Sequence, residues 1–102
     1  MRKVSKATLK ENDTLYAGCV FLEPREWLDN AILGKCAASG GIIYDADILT
    51  EAYMERDNIS IEQASMVVSY NATRALHYMP KPHPIIQYND KDEDCKPEED
   101  YD

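Results

Sequence analysis

The sequence predicts a small α+β domain in which a sheet, a hairpin plus flanking strands, packs on an αα-hairpin. Three observations carry that expectation. Two short apolar runs flank Gly40-Gly41, the pattern of a β-hairpin. A capping-box sequence at Ser60–Gln63 separates two stretches with helical periodicity. Pro80, Pro82 and Pro84 impose extended geometry just ahead of the β-prone Ile85-Ile86. With 102 residues, 44% of them hydrophobic, the chain can bury one core but not two.

Residues 1–14 are polar without a sustained period and read as a basic, flexible leader. Leu15–Leu22, apolar and rich in Tyr, Val and Phe, reads as a strand or extended segment. Pro24 stands where it can open one helical turn through Trp27. Ala31–Ala37 is read as a strand, because Gly34 weakens a helix there by about 1 kcal/mol relative to Ala. Ser39-Gly40-Gly41 then turns the chain into Ile42-Ile43-Tyr44. Asp45 is placed to cap a helix in which Ile48, Leu49, Ala52, Tyr53 and Arg56 share a face, with Asn58 closing it.

Ser60 and Gln63 can cap the next helix reciprocally, with Ile59 and Ala64 as a weak hydrophobic staple. Ile61, Ala64, Val68, Ala72 and Ala75 mark its small-residue face, widened by Met66, Val67 and Tyr70, and it should run to about Leu76. Ile85–Tyr88 is the last expected strand. The domain thus covers residues 15–88, and the acidic tail 89–102 is too charged to join a core and is expected to be disordered.

Charge is unevenly placed. Residues 1–10 carry Arg2, Lys3, Lys6 and Lys10 with no acid, whereas the last fourteen residues hold eight acids against Lys91 and Lys96. A net charge of −8 disfavours duplex nucleic acid bound through a broad basic surface. No apolar run suits a membrane span and nothing resembles a secretory signal, so the expectation is a cytoplasmic protein. Cys19, Cys36 and Cys95 form no C-x-x-C pair, and reduced thiols are expected, with Cys19 and Cys36 as small core residues.

Several segments together resemble a family of small hypothetical proteins encoded by bacteriophages and prophages. They are Leu22–Gly34, Ile43-Tyr44-Asp45, Glu51–Asp57, Ile59–Ala64, Tyr70-Asn71, Arg74–Leu76, Tyr78 and Pro84–Ile86. The resemblance spans about residues 15–87 and leaves out the basic leader and the acidic tail. It implies an origin in mobile elements and favours the hairpin over residues 31–44, and it brings no activity, cofactor or catalytic residue with it.

The residues themselves point to no chemistry. Asp45, Asp47 and Glu51 stand at a helix start, where carboxylates already have an electrostatic reason to be, and they lack the spacing of a calcium loop. His77, His83 and the cysteines lack zinc-ligand spacing, and no residue near Cys36 signals an activated nucleophile. No cofactor, metal site or catalytic group is therefore expected. Tyr70, Asn71, Arg74 and Tyr78 are the candidate binding residues, since aromatic rings and a guanidinium can grip a partner's aromatic or phosphate group. Against that stands plain packing of Tyr70 and Tyr78, with Arg74 paired to an acid.

Three functions follow as expectations. The first is an acidic phage-type accessory protein that binds and modulates a host macromolecule, with a host protein as partner and without catalysis. The second is a homo-oligomer that sequesters a nucleotide-like ligand. The third is a small hydrolase using the carboxylates or Cys36.

Overall fold

A computed structural model describes residues 2–73, 79 and 82–88. Among these the order is α1 (Lys6–Leu15), α2 (Arg25–Leu28), a 3-10 turn (Asp29–Ala31), β1 (Ile32–Lys35), β2 (Ile42–Asp45), α3 (Ala46–Asp57), α4 (Ile61–Thr73) and β3 (Ile85–Gln87). The protein is an α+β fold built on a three-stranded mixed sheet of order β1-β2-β3.

The hairpin forms as its composition implies. β1 and β2 pair antiparallel, with Ile32 opposite Tyr44 and Lys35 opposite Ile42. A bulge between Ile32 and Gly34 leaves Leu33 out of the ladder and 51% exposed. The turn closes through Cys36 N–H donating to the Gly41 carbonyl (2.8 Å) and Gly40 N–H donating to the Cys36 carbonyl (2.7 Å). Gly40 sits at φ +81°, which a side chain would resist. β3 then joins β2 in parallel, Ile43 opposite Ile85 and Asp45 opposite Gln87. A parallel neighbour requires a crossover, and α3 and α4 supply it.

Both helix starts are built by side chains. The Asp45 carboxylate accepts the N–H groups of Asp47 (2.8 Å) and Ile48 (3.1 Å). Asn58 ends α3 in the left-handed region at φ 55°. The Ser60 hydroxyl accepts from Gln63 N–H (3.1 Å), while the Gln63 amide oxygen accepts from Ser60 N–H (3.2 Å), a complete capping box.

The core sits where α3 meets α2, the 3-10 turn, β2 and α4. Leu28, Ile42, Tyr44, Leu49, Val68 and Pro84 are fully enclosed, and each of the leucines contributes roughly 1.5–3 kcal/mol by leaving water. Ile42 and Tyr44 point inward and Ile43 is only partly covered, as period-two alternation requires.

Three expectations are corrected. The leader is not loose along its whole length: residues 6–15 form α1, capped by the Ser5 hydroxyl accepting from Thr8 N–H (3.2 Å). No residue of α1 is buried, and a helix without a buried stripe imprints no apolar period on its sequence. The strand expected over Leu15–Leu22 is absent. Leu15 ends α1, Tyr16–Gly18 turns, and Cys19–Leu22 runs irregularly. Leu22 enters the core and Cys19 and Phe21 pack against it without a ladder, and the Leu22 N–H goes to the Tyr44 hydroxyl oxygen (2.8 Å) instead of a strand. On α4, Ala64 and Val68 are buried as expected, but Ile61, Met66 and Tyr70 are exposed. The expected end of α4 at Leu76 and the tail 89–102 lie outside the described residues.

Candidate functional site

Of the four residues singled out from the sequence, Tyr70 and Asn71 are among those described, and these two point different ways. Tyr70 and Asn71 are consecutive on α4, so their side chains leave the helix about 100° apart. The Asn71 amide nitrogen donates to the Tyr53 hydroxyl (3.2 Å), tying α4 to α3. Asn71 is therefore a packing residue, and the mid-helix amide that looked wasteful in sequence has its partner on the neighbouring helix. Burial raises the Tyr53 phenol pKa, a shift that the Asn71 hydrogen bond partly opposes. Tyr70 faces outward and is 59% exposed. Arg74 and Tyr78 lie outside the described residues.

Tyr70 instead joins Gln63, Met66 and Val67 around a shallow groove of about 310 Å³ on the outer side of α4. Positions 63, 66, 67 and 70 follow the i, i+3, i+4, i+7 pattern of a single helix face. Met66 is 69% exposed, and the polar side-chain atoms of the lining residues are the Gln63 amide and the Tyr70 hydroxyl. None of the four bears a charge that would hold a phosphate. The groove is suited to apolar contact, through an adaptable thioether beside an aromatic ring.

A second constellation escaped sequence reasoning. The Arg25 guanidinium grips Asp29 through Nε (3.3 Å) and Nη2 (2.8 Å), and reaches Asp13 through Nη1 (2.6 Å). It lies 3.7 Å from the Phe21 ring centroid. The Asp29 side chain is fully buried and also accepts from the Asn12 amide (3.0 Å). The Asp29 bond, more than the Asp13 contact, holds the guanidinium pKa above its ordinary value. Both carboxylate oxygens of the buried Asp29 are engaged within the chain, so this cluster holds the fold together. The i, i+4 spacing of Arg25 and Asp29 was its one sequence signal.

Asp45 serves as the α3 cap, and among the described residues no group of three or more His, Cys, Asp or Glu is arranged to hold a metal ion. Cys19 and Cys36 are both partly buried; Cys19 packs against the core as expected, whereas Cys36 is not among the residues of the core cluster. The Cys36 thiol pKa is lowered, first by the Ser39 hydroxyl and then by the N–H groups of Ser39, Ala38 and Gly40. Cys19 donates to the Gly40 carbonyl (3.3 Å). Among the described residues no helix is long and apolar enough to cross a membrane. No family model, curated protein or solved structure matches this chain.

Proposed function

We propose that this chain is a non-catalytic accessory protein that binds a bacterial host protein through the outward face of α4. The observation that carries the reading is the exposure of Met66 and Tyr70 side by side, with Val67 and Gln63 completing one groove. Adjacent large apolar side chains left in water mark contact surfaces more often than they serve solubility, and aromatic residues dominate binding energy at such surfaces. A net charge of −8 favours a partner whose apolar patch is rimmed by Lys and Arg. The resemblance to phage-encoded proteins supports a host partner over one from the same genome.

A photo-crosslinking residue at Gln63, with a control at Glu23, tests this in bacterial lysate once circular dichroism shows that α4 survives loss of the Gln63 half of its capping box. The reading expects one stoichiometric adduct from position 63 and none from position 23. Met66→Ser with Tyr70→Ser should weaken capture by at least about tenfold, because truncating two central anchors commonly costs more than 1.4 kcal/mol. Both positions are exposed, so the denaturation midpoint should fall by far less than for a core truncation such as Leu49→Ala. An undiminished adduct in the double variant, or no adduct from position 63, refutes the proposal.

A further inference from the structure

Helix α1 and the residues before it are attached to the body in an unusual way. No residue of α1 is buried, and Leu15 at its end is 61% exposed. Beside the partly buried Leu9, its ties to the rest include a set of polar contacts. Arg25 donates from Nη1 to Asp13 (2.6 Å) and from Nη2 to the Leu9 carbonyl (3.4 Å), and the Asn12 amide donates to Asp29 (3.0 Å). Upstream, Val4 N–H donates to the Glu26 carbonyl (2.6 Å), and the Asn30 amide donates to the Arg2 carbonyl (2.9 Å). The Lys3 ammonium stands 6.0 Å from the Trp27 ring centroid. All of these land on one short stretch, Arg25–Asn30.

The body has contacts of its own at this stretch. Arg25 and the fully buried Asp29 form a two-point pair, and the Phe21 ring lies beneath the guanidinium. Just after α1, Gly18 at φ +84° gives the chain a bend, while Tyr16 anchors edge-on against Phe21 with ring centroids 6.4 Å apart. Regions with few buried apolar contacts and solvent-accessible polar ties open at far lower free energy than a core.

We propose that residues 2–15 form a strap that lifts from the domain as a unit, pivoting at Tyr16–Gly18, and uncovers Arg25 Nη1 and the Trp27 face while the Arg25–Asp29 pair stays in place. Charge contributes to holding it closed: residues 2–15 carry four bases against Glu11 and Asp13, a net +2 in a chain of net −8, which leaves −10 on the remainder. Opening therefore responds to ionic strength, which screens exposed pairs. The inference does not involve the α4 groove and stands apart from the binding proposal.

Hydrogen exchange on the full chain tests it. Amides of Leu9–Leu15 should exchange at least about 100-fold faster than those of Leu49–Tyr53 in α3 at low salt, after correction for intrinsic rates. Asn12→Ala with Asp13→Ala should speed the strap amides about tenfold further, the effect of losing two partly exposed polar ties, and leave α3 unchanged. Raising the salt should shift the strap in the same direction. A core variant, Leu49→Ala, should speed exchange in α3 and leave the strap rate as it was. The proposal is overturned if Leu9–Leu15 exchange only at the α3 rate, or if Leu49→Ala accelerates both segments equally.

Discussion

Replacing Tyr44 with Phe isolates a single buried hydrogen bond. Tyr44 has no exposed surface, and its hydroxyl oxygen accepts the Leu22 N–H at 2.8 Å. That bond is what lets the irregular segment Cys19–Leu22 enter the core without pairing as a strand. Phe keeps the ring and its packing, so the change removes an acceptor and little volume. The Leu22 N–H is then left buried and unpaired, a loss of about 1–3 kcal/mol. For a domain of this size each kcal/mol lowers Tm by about 4–8 °C. Urea denaturation at neutral pH should show a lower midpoint with an unchanged slope.

The same residue sets an alkaline limit. Burial pushes the Tyr44 phenol well above its ordinary value near 10. The unfolded chain therefore releases that proton first as pH rises. Above about pH 10 the folded state binds more protons than the unfolded one, and stability falls by up to about 1.4 kcal/mol per pH unit for this group. Tyr53, also raised by burial, acts in the same direction. Tyr44→Phe should thus be less stable at neutral pH yet lose stability less steeply above pH 10. A loss at neutral pH below about 0.5 kcal/mol, or an equally steep alkaline decline, would show that the hydroxyl is not buried and bonded as described.

Gly41→Ala should destabilise by about 1–3 kcal/mol in the same urea assay, because its Cβ would run into the backbone carbonyl of His83, while Gly34→Ala, facing open space, serves as the near-neutral control. Equal midpoints for the two variants would contradict the close approach of these segments. Cys36, partly exposed and with its thiolate favoured by the Ser39 hydroxyl and the turn amides, should be alkylated by iodoacetamide near neutral pH ahead of Cys19. Peptide mapping by mass should show Ser39→Ala slowing that reaction, and Cys19 labelled as quickly would refute the order.

The amino-acid order by itself determined most features whose physics is local, the α1 helix with its Ser5 cap being the one it hid. The Asp45 cap, the left-handed Asn58, the Ser60–Gln63 box and the turn between β1 and β2 are legible because each is closed by residues no more than about six apart. Side-chain chemistry at that range leaves a fixed spacing. Tertiary structure decided what depends on partners far along the chain. Leu15–Leu22 has the composition of a strand, but its Leu22 N–H is taken by Tyr44, 22 residues later. Asn71 looked available for a ligand until Tyr53 came to face it across two helices. Met66 and Tyr70 looked like core because they share apolarity with Ala64 and Val68, and only the docking of α4 on α3 determined which side of the helix met the body. Hydrophobic pattern states how much surface a helix can bury, whereas the partner that arrives states which part of it remains in water.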